Sequence, residues 1–198
     1  MIGKGKSISH GVAALEYDLA KEINGQAVAT EIARHELYGC TGAEMVQEMK
    51  PYHIDFPNVK NNCLRFEVSP SIEESATFTD ADWAELGNDF MQRMGLANHQ
   101  YIIIRHSGTE SKKEQAHLHI LANRVSLSGE LYRDNWIGKK ATEAANAIAK
   151  ERNFVQSQDI GKVNKAEIKE AMDGVLKKMQ GFDFTKFKEE LGKRGFKV

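Results

Sequence analysis

The chain has 198 residues, 41% of them hydrophobic, and a formal net charge of −1. That length suits one large domain with a real core, and a charge so near zero excludes an indiscriminate polyanion binder. No apolar run reaches the roughly 18 residues of a membrane span, residues 1–6 are basic but lack the apolar stretch of a signal peptide, and two cysteines, Cys40 and Cys63, are too few for a disulfide framework and suit a reducing cytoplasm.

A short strand is expected over residues 6–9, then a helix over 10–22, in which Val12, Leu15 and Leu19 recur at helical spacing and Tyr17 lies off that stripe. Asn24-Gly25 ends it. Further helices are expected over 27–37 and over 41–49, stopping before Pro51. After a loop over 51–62, Leu64, Phe66 and Val68 place one face of a strand over 63–69, leaving Arg65, Glu67 and Ser69 as a polar row on the other. Thr79-Asp80-Ala81-Asp82 resembles a capping box. Behind it Trp83, Leu86, Phe90 and Met94 form an apolar stripe that Gly95 terminates. Strands follow over 101–106 and 117–125, separated by a polar loop over 107–114. Ser128-Gly129 then turns the chain into a hairpin over 130–133. An alanine-rich helix over 141–150 precedes two tail helices, marked by Ile168, Met172, Val175 and Met179 and by Phe184, Phe187 and Leu191. Strands joined by loops and hairpins give an α+β fold with a central antiparallel sheet, helices on its outer face and one face open. Residues 1–155 read as the main domain and 156–198 as a helical C-terminal extension of it.

The most informative stretch is Ala116-His117-Leu118-His119-Ile120. Residues two apart on a strand share a face, so His117 and His119 point one way, half of a metal site. His106 ends the preceding run; if the two strands are antiparallel neighbours, it closes a three-histidine cluster. A surface pair of imidazoles is the alternative. Three neutral imidazoles would leave open positions on a divalent ion, which can polarise a phosphoryl oxygen. There is no HExxH, no GxxxxGK and no GxSxG, which disfavours zincins, P-loop ATPases and α/β-hydrolases. A tyrosine is a suitable nucleophile for phosphodiester transfer, because its phenolate can leave again. Lys4, Lys6, Arg105, Lys112, Lys113, Arg124, Lys139 and Lys140 supply basic surface near the histidines in sequence or at the N-terminus, or are scattered solvated charge. Trp83 reads as core; Trp136 is either core or a base-stacking platform. His10, His35, His53 and His99 read as ordinary polar residues.

His117, His119, Asn123, Arg124 and Val125 together resemble the third motif of the mobilisation relaxases of plasmids and transposons, within the HUH endonuclease superfamily. Gly5-Lys6-Ser7 with Leu15-Glu16-Tyr17 resembles the tyrosine-bearing first motif, and residues 65–71 stand where a serine-containing second motif is expected. Residues 90–95 and 100–106 resemble relaxases of Bacteroides-type mobilizable elements. Leu191-Gly192-Lys193-Arg194-Gly195 resembles a helix seen farther along such chains, which usually run well past this length.

The resemblance implies an enzyme that nicks one strand at an origin of transfer. Tyr17 would attack the phosphodiester to give a 5′-phosphotyrosyl link and a free 3′-hydroxyl. His106, His117 and His119 would hold a divalent metal ion (Mg, Mn or Zn). Glu67 would orient a histidine or accept the tyrosine proton, pairing with Arg65 being the alternative, and Lys6, Arg105, Arg124, Ser69 and Asn123 would contact DNA, with bracing of the strand the alternative for Arg124. It also implies single-stranded origin DNA, accessory mobilisation proteins and a coupling protein as partners, in a bacterial cytoplasm. Rolling-circle initiators and transposases of the superfamily, or a non-catalytic DNA-binding module, are the alternatives. Two departures stand out: Gln115 occupies the position of a further alternating histidine, with a fallback role as oxygen ligand, and the loop before His117 is longer than in many relatives.

Overall fold

The computed structural model describes residues 1–108 and 115–196; the polar loop expected through residue 114, with Lys112 and Lys113, lies largely outside the described residues. Two compact units result, Met1–Gln156 and Ser157–Val198.

The first unit is built on a five-stranded antiparallel sheet in the order β1 (Ile2–Ile8), β5 (Cys63–Ser69), β7 (His117–Ser126), β6 (His99–His106), β4 (Ala29–His35). Period-2 alternation sorts its side chains onto two faces. Leu64, Phe66, Val68, Ile103, Leu118 and Ile120 join the larger core under α4 (Asp80–Arg93) and α5 (Ile137–Glu151). The α4 helix starts where Thr79 and Asp82 form a reciprocal capping box and buries Trp83, Leu86, Phe90 and Met91. The α5 helix approaches β1 closely because both surfaces are small. Ala141 and Ala145 face Gly3, where an added Cβ would lie 2.4 Å from the Ala141 carbonyl oxygen.

The opposite face, expected to be open, is covered over part of its area. Helices α1 (Gly11–Leu19) and α2 (Gly42–Met49), the latter capped by Thr41 and Glu44, pack Leu15, Met45 and Met49 against Cys63, Ile102, Ile104 and Leu121. Along β7 this face therefore changes from Leu121, in the core beneath α1 and α2, to His119 and His117.

Two expectations need correction. Residues 27–37 form no helix: β2 (Glu22–Ile23) and β3 (Gln26–Ala27) make a small hairpin and β4 pairs with β6, with a register shift between Glu31 and Ala33. Asn24 and Gly25, at φ 54° and 73°, are its two-residue turn rather than a helix terminus. Edge pairing outweighs the helix propensity of Ala, Glu and Arg there. After Gly129 the chain does fold back, but through the single bridge Val125–Leu131 rather than a further strand. The short α3 (Ile72–Ser75) links β5 to α4. In the second unit, α6 (Ser157–Leu176) and α7 (Phe184–Lys193) share a core of Ala171, Val175, Phe187 and Leu191. Among the described residues, no helix is long and apolar enough to cross a membrane.

Candidate metal centre and cationic pocket

His106 and His117 face each other across β6 and β7 in register, and His119 follows two residues on, on the same face. One potential ligand atom from each of the three rings lies within 4.8 Å of the others. His106 and His117 are buried, and the His119 side chain is 13% exposed.

Hydrogen bonds fix the rings. His106 Nε2 donates to the main-chain carbonyl of Asp18 at 2.7 Å, leaving Nδ1 with its lone pair. His117 Nδ1 donates to the Gln115 carbonyl at 3.0 Å, which leaves Nε2 as the lone-pair nitrogen, 3.1 Å from His119 Nε2. Bonds of about 2.0–2.2 Å to one ion place neighbouring ligand atoms about 3–3.5 Å apart, so this pair already has ligand spacing. His119 Nδ1 lies 3.3 Å from the Arg65 guanidinium, a donor only, and 3.8 Å from Asp18 Oδ1. Were His119 to hold a cation through Nε2, its proton would reside on Nδ1, on the side of the ring that the Asp18 carboxylate faces.

The electrostatics suit a ligand set. Burial, then the neighbouring charges of His106, His117, Arg65 and Lys4, lowers the His119 pKa to about 2. Burial is also the main cause holding His106 below the ordinary imidazole value. These rings stay neutral at pH 7, as metal ligation requires. The donor set therefore fits a divalent metal ion.

Asp18 was not singled out by the sequence. It is 1% exposed and its carboxylate grips Arg65 through Nε at 3.0 Å and through NH2. Its neighbour Tyr17 is 56% exposed on α1, and the Tyr17 hydroxyl accepts a hydrogen bond from Lys21 Nζ at 2.7 Å. Lys21 also bears on the cluster, since its charge is one of those that depress His106.

Beside His119 lies a pocket of about 210 Å³ lined by Lys4, Gly5, Lys6, Arg65, Phe66, Glu67 and His119. Lys4, Glu67 and His119 are cross-strand partners in one row, and Lys4 Nζ contacts Glu67 Oε1 at 3.0 Å. Gln115 Nε2 donates to Ser69 Oγ at 3.3 Å and to the Pro70 carbonyl, which keeps Ser69 near the His117 end of the row.

Three sequence candidates stand elsewhere. Arg105 points to the other face and pairs with Asp80 of α4. Arg124 is a brace, donating to the carbonyls of Tyr132 and Asn61 and to Asp134 Oδ1 at 2.6 Å. Asn123 is fully buried between His53, Gln100 and the Met49 carbonyl.

This antiparallel sheet with its histidine cluster defines a candidate metal-binding protein. The family described as "Relaxase: MobA/VirD2-like, nuclease domain" matches residues 17–154, most of the chain. The protein belongs to that relaxase family. A solved structure of the conjugative relaxase TrwC, metal-bound and in complex with oriT DNA, is similar at 13% identity with a TM-score of 0.31. The similarity covers 81% of this chain and only 61% of that one. No curated protein matches.

Proposed function

We propose that this chain is the catalytic domain of a mobilisation relaxase, nicking one strand of origin-of-transfer DNA through Tyr17. The observation that carries the reading is that Asp18, the residue after Tyr17, holds His106 of the histidine cluster. In the step proposed, Tyr17 Oη attacks the scissile phosphorus. The new O–P bond forms as the bond to the 3′ oxygen breaks, and the departing 3′ oxygen takes a proton from water to become the free 3′-hydroxyl. A metal ion held by His106, His117 and His119 supplies stabilisation of charge on the phosphoryl oxygens. Glu67, on the pocket wall, is the candidate acceptor of the tyrosine proton. Lys6 contacts a phosphate and Ser69 flanks the strand, whereas the bracing contacts of Arg124, Asn123 and Arg105 make their roles structural.

Three of the other tyrosines support the choice. Tyr38 donates to Glu36, which raises its pKa. Burial raises Tyr101 and Tyr132. The Tyr17 side chain is instead more than half exposed, within reach of a bound strand.

We take residues 1–155 as the nuclease domain and 156–198 as its helical extension, acting in the bacterial cytoplasm with accessory mobilisation proteins and a coupling protein. The test is a denaturing gel with single-stranded DNA from the element's origin. Wild type forms a covalent adduct. Tyr17→Phe binds the DNA and forms none, and His117→Ala with His119→Ala loses both the metal and the adduct. An adduct retained by Tyr17→Phe but lost on changing Tyr38, Tyr52, Tyr101 or Tyr132 overturns the assignment of the nucleophile.

A further inference from the structure

Trp136 is 80% exposed, yet its backbone is tightly held. Its φ of 59° lies in the left-handed region, which a bulky side chain keeps only where its surroundings impose it. They do so on both sides. Arg124 fixes Asp134, and the Asp134 carbonyl accepts from the Ile137 N–H at 3.1 Å. Lys140 Nζ donates to the Arg133 carbonyl at 2.8 Å. Ile137 itself is buried in the core. The indole therefore stands in water on a rigid mount, at the start of α5.

That mount stands beside β1, the edge strand that supplies Lys4 and Lys6 to the cationic pocket. A Cβ on Gly138 would be 3.5 Å from the Gly5 carbonyl oxygen, and Gly5 lines the pocket with Lys4 and Lys6. Trp136 is two residues from Gly138, at most about 7 Å along the chain. Arg133 and Lys139 beside it are exposed, as are Lys4 and Lys6.

We propose that Trp136 is a base-stacking platform for single-stranded DNA, taking a nucleobase of the strand that runs through the pocket beside the histidines. The proposal rests on the relaxase reading and deepens it. A nucleobase offers an aromatic face flanked by phosphates; an exposed indole among lysines and an arginine offers the complement of both. A protein partner fits less well, since Ile137 is buried and no other exposed apolar side chain flanks Trp136 between residues 133 and 140.

The chain holds two tryptophans, and Trp83 is 2% exposed within the core, so a change in intrinsic fluorescence on DNA binding reports Trp136. The protein is titrated with oligo-dT at low salt, reading tryptophan fluorescence and, in parallel, anisotropy of labelled oligo-dT. Wild type is quenched. Trp136→Phe binds with no quench, and Trp136→Ala loses affinity by on the order of 5- to 100-fold at an unchanged melting temperature. Binding by anisotropy without quenching, or Trp136→Ala binding like wild type, overturns the platform; the second is also what a protein-docking role would give. The covalent-adduct gel separates the two claims. An adduct without quenching removes the platform and leaves the relaxase reading, whereas quenching without an adduct does the reverse.

Discussion

His106 is held by the main chain of Asp18, not by its side chain: Nε2 donates to the Asp18 carbonyl at 2.7 Å, which leaves the Asp18 carboxylate to Arg65. One residue of α1 thus ties a helix to two strands, β6 through His106 and β5 through Arg65, directly after Tyr17. Histidine orientation and the placement of the tyrosine helix are consequently one mechanical unit.

Asp18→Asn tests that unit. It keeps the carbonyl contact but removes the charge opposing Arg65, whose side chain is 22% exposed. Removing one partner of a largely buried pair costs about 3 kcal/mol. Loss of the carboxylate near His119 Nδ1 lowers metal affinity by about 10- to 100-fold. Differential scanning calorimetry with and without Mn²⁺, and titration calorimetry of the ion, check both. Unchanged metal affinity alongside a lowered melting temperature would confine Asp18 to holding the fold.

Acid stability should follow the buried histidines. Burial lowers the pKa of His99, and the same cause acts on His106 and His119. Each is neutral when folded but titrates near its ordinary value when unfolded. The unfolded chain therefore binds more protons below about pH 6.5, and stability falls as pH drops through that window. The slope is up to about 1.4 kcal/mol per pH unit for each such histidine. Urea melts in chelator between pH 7.5 and 5 measure it, and His119→Asn should flatten the slope. A slope equal to wild type in that variant would mean His119 titrates normally in the fold.

Lys6 and Arg124, alike as basic residues in the sequence, should separate by assay. Lys6 is exposed at the pocket, whereas Arg124 spends its hydrogen bonds on Asn61, Tyr132 and Asp134. Lys6→Glu should weaken binding to single-stranded DNA and reduce the dependence of log K on log salt by roughly one unit, as loss of a phosphate contact does. Arg124→Ala should instead lower stability by about 2 kcal/mol. Anisotropy over a salt series and thermal melts are the measurements. Lys177→Glu, just past the end of α6, serves as the surface control.

Much of the site was legible because strand alternation is a strict rule. His117 with His119, and Arg65 with Glu67 and Ser69, were assigned to shared faces from spacing alone, and the register places Glu67 opposite His119. Asp18 was not legible. An aspartate on a short amphipathic helix looks solvent-facing, and its burial follows from how α1 lies against the sheet, a tertiary fact without a local sign. For Arg124 the sequence left phosphate contact and bracing of the strand both open, and its partner Asp134, ten residues on and folded back onto it, is again a tertiary fact without a local sign. At β4, Asn24-Gly25 was a hairpin signal read as a helix stop, and that error carried residues 27–37 into the wrong class.

Lys21 should matter to the chemistry more than to the fold. It donates to the Tyr17 hydroxyl at 2.7 Å and so holds the side chain of the proposed nucleophile in one place on α1. Lys21→Met removes the charge while keeping much of the aliphatic stem, and Lys21→Arg restores a cation. Both variants should melt near wild type, because Tyr17 is more than half exposed and the pair contributes little to stability. The rate of adduct formation on origin DNA should fall by about 10- to 100-fold in Lys21→Met, within the range general for a group that assists a nucleophile. Lys21→Arg should recover most of the rate. Single-turnover gels across pH 6–9, with DNA held at saturation, separate this from weaker binding. If Lys21→Met reacts at the wild-type rate across this range, the hydrogen bond to Tyr17 orders a surface side chain and nothing more.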